Sequence, residues 1–188
     1  LTGHKSLTLE GVDLRRPALC GADLADLSQA AALGVNAVMQ PFVRSAGDLR
    51  VVRQTMAENG LADAELFAKV ENQPGLDALP DWLALCDVVT IARGDLGSSL
   101  PLERLPAAQK RIAALCRSRG KPFLVVTQLL HSMIDHPSPT RAEVLDIYNA
   151  VLDGADCLML TGETAQGRYP LESADWLIRV AQEAEKAR

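Results

Sequence analysis

The sequence predicts an α/β protein of about five parallel strands with helices outside, a portion of a (β/α)8-type barrel. Two observations carry that prediction. Short continuous apolar runs alternate with segments of helical periodicity, the pattern of a parallel sheet covered on both faces. Four consecutive strands also end in polar or charged residues: Lys69-Val-Glu71-Asn72, Ala92-Arg93-Gly94-Asp95, Thr127-Gln128 and Thr161-Gly162-Glu163-Thr164. In a (β/α) barrel the rim at the strand C-termini holds ligands, and the opposite rim serves stability. An open doubly wound sheet binds only near its switch point. Four loaded strand ends in a row favour the barrel.

The elements follow in order. Residues 22–33 place apolar side chains at helical spacing, and 35–42 read as a strand. Residues 46–59 are helical and 64–70 (AELFAKV) extended; 76–85 suit a helix, followed by the apolar run DVVTIA at 87–92. Residues 103–118 form an amphipathic helix closed by Gly120, and PFLVV at 122–126 is a buried strand. A helix at 140–152 opens on Thr140 as N-cap, with Glu143 placed for a capping box, and Gly154 ends it. The strand CLML (157–160) and a helix over 170–187 complete the chain. A full barrel needs about 250 residues, so only five of its eight strands fit here.

Composition narrows the function classes. The 188 residues are 48% apolar and 23% charged, with a formal net charge of -5. That balance, with no basic run, argues against nucleic acid or an anionic membrane as partner. No apolar stretch approaches a membrane span, and the start lacks the layout of a signal peptide. The four cysteines (Cys20, Cys86, Cys116, Cys157) form no CxxC pair, and three lie in apolar runs, so reduced, buried thiols in a cytoplasmic protein are expected. His4, His131 and His136 sit apart and read as surface residues rather than zinc ligands.

The strand ends hold the candidate chemistry. Lys69 and Glu71 are two apart on one strand, so both project to the same side of the sheet. They either hold an anionic substrate beside a metal or form a salt bridge on the rim. Arg93-Gly94-Asp95 lies in a turn whose glycines allow close approach of an anion, with Asp95 free to ligate a hard cation. An ordinary turn with Asp95 as a helix cap fits equally. Two carboxylates on adjacent strand ends suit Mg²⁺. Thr127 either hydrogen-bonds a carboxylate or relays a proton through its hydroxyl, or simply packs. Thr161, Glu163 and Thr164 either receive an anion or cap a helix.

Five segments together resemble the catalytic barrel of the pyruvate kinase family. They are AKVENQPG (68–75), TIARGDLG (90–97), KPFLVVTQLLHSM (121–133), SPTRAEVLDIYNAVLDGAD (138–156) and CLMLTGETAQGRYPLE (157–172), in the family's order and spacing. LEGVDL (9–14) resembles the return from that family's lid domain, and VMQPFVR (38–44) its fourth barrel strand. The resemblance implies a partial TIM barrel, with residues 1–20 as a return segment and 21–188 as βα units four to eight. It implies that Lys69 bridges to the transferring phosphoryl group and that Glu71 and Asp95 bind Mg²⁺ or Mn²⁺. Gly94 and Asp95, with the Thr127 hydroxyl, match the cradle for the carboxylate of phosphoenolpyruvate or pyruvate. Phe42 matches an aromatic lining that pocket, Arg93 joins the same substrate-binding set, and Thr161 and Glu163 face the ADP/ATP or phosphate side.

The departures shape the functional expectations. The family's first three barrel strands, its lid and its C-terminal domain have no counterpart here, nor do its phosphate-gripping arginine or its K⁺ ligands. Pro41, Pro74, Ser98, Ser99, His131 and Gln166 stand where other residues are usual in the family. Unpaired sheet edges invite association, so a longer chain or a homo-oligomer is expected. Three functions fit: Mg²⁺-dependent pyruvate kinase with K⁺, a metal-dependent lyase or decarboxylase acting on pyruvate enolates, or a non-catalytic relative.

Overall fold

The structure, a computed structural model, describes residues 16–188. His4 and the LEGVDL segment lie outside the described residues. Strands β1 (Ala37–Gln40), β2 (Glu65–Val70), β3 (Val88–Ala92), β4 (Phe123–Val126) and β5 (Cys157–Met159) form one sheet in chain order, every neighbouring pair parallel. Helices α1 (Gly21–Ala30), α2 (Ala46–Glu58), α3 (Gln73–Asp77), α4 (Leu79–Trp82), α5 (Arg93–Ser99), α6 (Leu105–Ser118), α7 (Arg141–Leu152), α8 (Gly162–Ala165) and α9 (Pro170–Glu185) connect and follow the strands. This sequential parallel winding is a partial (β/α) barrel, with β1 and β5 at its edges.

Strand alternation sorts the two faces. Leu66, Ala68 and Val70 of β2, Val89 and Ile91 of β3, and Phe123 and Val125 of β4 enter the large core, together with Leu49, Val52 and Met56 of α2 and Ile112 and Cys116 of α6. The intervening residues Ala92, Leu124 and Val126 form a second, smaller cluster with Val88 and Met159. Register pairs Lys69 with Thr90 and Thr90 with Leu124, so Lys69 shares the face of that smaller cluster. The helix-covered face thus holds most of the burial, and the other face is free to carry charge.

Local chemistry explains the helix ends. Thr140 and Glu143 form the expected capping box on α7, and Gly154 follows it at φ 97°. The expected helix over 76–85 instead divides into α3, α4 and a 3-10 turn at Leu83–Leu85. Pro80 cannot donate to a preceding helical turn, so it starts a new one in the first turn of α4. Trp82 Nε1 then donates to Gly75 O at 3.0 Å and ties α4 to α3. The cysteine expectation needs correction. All four are free, but Cys20 and Cys157 are exposed and only Cys86 and Cys116 are buried. Cys157 lies on edge strand β5, where no further strand among the described residues covers it. No helix among the described residues is long and apolar enough to cross a membrane.

Candidate functional site at the strand C-termini

The strand ends come level to within two residues. Gln40 pairs with Ala68, Val70 with Ile91, Ala92 with Val126, and Val126 with Met159. Phe42, Glu71, Arg93, Thr127 and Thr161 therefore emerge from neighbouring strands along one edge. Sequence spacing placed each at the end of its own strand; the register brings them together.

Glu71 is the most constrained of them, only 2% exposed. Its Oε2 accepts the Phe42 N–H at 2.7 Å. Its Oε1 lies 2.6 Å from Lys69 Nζ, an ionic contact outside hydrogen-bonding direction, so this buried oxygen accepts no hydrogen bond. The salt bridge expected as one reading of this pair is therefore present. Phe42 itself sits at φ 50°, and its ring is exposed. The loop around it is stitched to the loop after β2. Asn72 Oδ1 caps α3 by accepting the Gly75 N–H at 2.7 Å, while its Nδ2 donates to Val43 O at 3.3 Å. Gly75 permits that approach, since a Cβ there would stand 2.1 Å from Val43 O.

The Arg93-Gly94-Asp95 segment is not a loop turn but the start of α5, with Ala92 at the N-cap. Asp95 therefore sits inside the first turn rather than capping it. It is exposed, and its side chain has no hydrogen-bond or ion-pair partner among the described residues. The Gly94 N–H donates to Thr127 Oγ1 at 2.7 Å. Because that oxygen accepts, the Thr127 O–H remains free to donate. Thr127 and Gln128 follow each other at φ 75° and 54°, the left-handed region that non-glycine residues enter at a cost of about 1–2 kcal/mol each. For β-branched Thr127 this is a pronounced outlier.

Arg93 is held from behind this turn. Its Nε and Nη2 donate to Thr127 O at 3.2 and 2.8 Å, and Nη2 also reaches Gln128 O at 3.3 Å. Its Nη1 lies 2.7 and 2.6 Å from the two carboxylate oxygens of Asp146 on α7. The residue is 7% exposed, and its donors turn to protein acceptors rather than the rim. Asp146 escaped the sequence reading. It sits within a helical repeat where an acid is unremarkable, and its one signal is that a buried arginine requires a counter-charge.

At the last strand end, Glu163 in α8 is 1% exposed. Its Oε1 accepts the Leu130 N–H at 3.1 Å, and its Oε2 accepts Thr161 N at 2.9 Å and Thr161 Oγ1 at 3.3 Å. Burial pushes this carboxyl up, but the backbone N–H groups of Glu163, Thr161 and Leu130 and the Thr161 hydroxyl outweigh it, leaving it below the usual glutamate range. Glu163 ties the β4 loop to the β5 loop with all its acceptors turned inward. Thr164 Oγ1 donates to Thr161 O at 3.4 Å.

Among the described residues no three His, Cys, Asp or Glu side chains gather as a cation cage. A cation on this edge would rest on Glu71 and Asp95 and leave most of its shell to substrate and water, the habit of Mg²⁺. The Oε1 of Glu71, ion-paired to Lys69 but without a hydrogen bond, and the unpaired side chain of Asp95 are the acids available to it.

The barrel-domain model of pyruvate kinases matches residues 1–174. The pyruvate kinase of Kluyveromyces lactis is 43% identical over 187 residues, covering 100% of this chain and 37% of the relative. That of Candida albicans is 41% identical over 187 residues, with the same coverage. The pyruvate kinase of Clostridium acetobutylicum is 39% identical over 182 residues, 97% of this chain and 38% of the relative. The chain thus spans little more than a third of the curated relatives it matches. On the strength of both the family model and these full-chain similarities, the chain belongs to the pyruvate kinase family.

Proposed function

We propose that the protein carrying this chain transfers a phosphoryl group between phosphoenolpyruvate and ADP, yielding pyruvate and ATP, with Mg²⁺ or Mn²⁺ at Glu71 and Asp95. The reading is carried by the Lys69–Glu71 pair, in which a buried carboxylate is fixed by Phe42 N–H on one oxygen and opposed by an ammonium at 2.6 Å on the other. A bound divalent cation supplies Lewis-acid polarisation of the enolate oxygen and neutralises phosphoryl charge. Lys69 adds a second positive charge on the same edge, held by β2 and aimed by Glu71, where phosphoryl oxygens gain charge in the transition state. The Thr127 O–H donates to the substrate carboxylate, and the exposed ring of Phe42 forms an apolar wall. Arg93 contributes by shaping the Thr127 turn, Gly94 by fixing Thr127 Oγ1, and Glu163 by fixing Thr161 on the nucleotide or phosphate side. A K⁺ ion, a homo-oligomeric assembly and a cytoplasmic location belong to the same proposal, carried by the family resemblance alone.

A coupled assay on the intact protein tests this. Lys69→Met is expected to lower kcat on the order of 10²–10³-fold, the usual effect of losing one group that stabilises developing charge. Mn²⁺ affinity should persist. An intact protein that binds phosphoenolpyruvate with Mg²⁺ and forms no ATP would overturn the kinase reading. Mg²⁺-dependent deuterium exchange into the pyruvate methyl group, without ATP formation, would instead favour a lyase or decarboxylase.

A further inference from the structure

We infer that Asp146, on the outer helix α7, is a positioning residue for the substrate carboxylate, acting through Arg93 on the Thr127–Gln128 turn. The inference rests on the proposed pyruvate site and adds to it a residue outside the rim. Two successive non-glycine residues in left-handed conformation do not hold themselves there. Their carbonyls leave the strand ladder, and Arg93 donates to both of them through Nε and Nη2. That grip sets where Thr127 Oγ1 stands, and hence its 2.7 Å contact with the Gly94 N–H.

The grip depends on charge. Arg93 is buried, and Asp146 is the carboxylate in contact with its guanidinium. An arginine buried without a counter-ion is strongly disfavoured, so it turns toward water when the partner is lost. Space for that exists. A cavity of about 480 Å³ between α6 and α7 is lined by Arg93, Gln109, Lys110, Gln128, Asp146 and Asn149. A guanidinium released by Asp146 swings into this cavity, the two carbonyls lose their donors, and Thr127 relaxes away from Gly94. The side chain of Asp146 is 35% exposed, so the outer surface of α7 connects directly to the cradle.

The test uses the intact protein, Asp146→Ala and Asp146→Asn. Oxalate with Mn²⁺ serves as a planar mimic of the pyruvate enolate. Asp146→Ala is expected to weaken oxalate at least tenfold and raise KM for phosphoenolpyruvate in proportion, with Mn²⁺ affinity within twofold of wild type. Asp146→Asn keeps an acceptor for Nη1 but removes the counter-charge, and should weaken oxalate almost as much as Asp146→Ala. Hydrogen–deuterium exchange by mass spectrometry gives a readout independent of any ligand. In Asp146→Ala, uptake should rise in the peptides holding Gly94 and Thr127–Gln128 and stay unchanged in β1 and β2. Unchanged uptake in those two peptides would overturn the inference, as would a loss of Mn²⁺ and oxalate binding in parallel. A wild-type protein that binds no oxalate would remove the pyruvate reading, while the exchange result would still decide the clamp.

Discussion

Replacing Glu163 by glutamine isolates what a buried charge does for this rim. The side chain keeps its shape, but one of its two terminal groups changes from acceptor to donor. With the amide oxygen toward Thr161, the new NH2 meets the Leu130 N–H as a 3.1 Å donor–donor contact; flipped, it meets Thr161 N and Oγ1 instead. Either way at least one buried N–H loses its acceptor, which costs about 1–3 kcal/mol. The surviving bonds lose charge assistance and with it roughly half their strength. Against this, a neutral side chain is less costly to bury, which offsets part of the loss. A net destabilisation of about 2–3 kcal/mol follows, and for a chain of this size that is a fall in Tm of roughly 4–12 °C. Thermal and urea unfolding of the wild-type and Glu163→Gln chains measures it. The pH dependence supplies a second check. The folded carboxyl lies below its usual value, so its contribution is complete above the unfolded glutamate pKa, about 4.3, and is lost as pH falls through the folded value. The gap between the two proteins should be constant near neutrality and close in acid. A gap under about 0.5 kcal/mol, within the range of an ordinary surface change, or one that does not vary with pH, would refute the assignment of a charged, hydrogen-bonded Glu163.

Three further outcomes follow from the same contacts. Glu71→Gln and Asp95→Asn should each weaken Mn²⁺ at least tenfold, about 1.4 kcal/mol, in an electron paramagnetic resonance titration, and unchanged binding would move the metal elsewhere. Gly75→Ala drives a Cβ to 2.1 Å from the Val43 carbonyl, so denaturant unfolding should show a loss of about 1–3 kcal/mol, the usual cost of overpacking. Alkylation followed by mass spectrometry should label Cys20 and Cys157 quickly and spare Cys86 and Cys116 until unfolding, because the latter pair is buried and burial pushes their thiols up to about 11 and about 12. Rapid labelling of Cys116 in the folded state would contradict the packing of α6 on the sheet.

Sequence by itself determined the alternation of elements, the parallel sheet and the identity of the loaded strand ends. Those features arise from short-range rules. Apolar runs of four to six residues have to be buried on both faces, and Thr140, Glu143 and Gly154 carry their capping chemistry within one or two turns of chain. The helix expected over 76–85 breaks where Pro80 interrupts an otherwise helical pattern, which is also a local effect. Tertiary structure decided everything that depended on which strand ends stand level. Lys69 and Glu71 were legible as neighbours, but the Phe42 N–H that orients Glu71 comes from 29 residues away. The family resemblance puts Arg93 in the substrate-binding set, whereas its donors turn to the carbonyls of a strained turn and to Asp146, 53 residues along the chain. No local pattern announces such contacts, because a buried charge selects its partner by proximity in the folded sheet rather than by spacing in sequence.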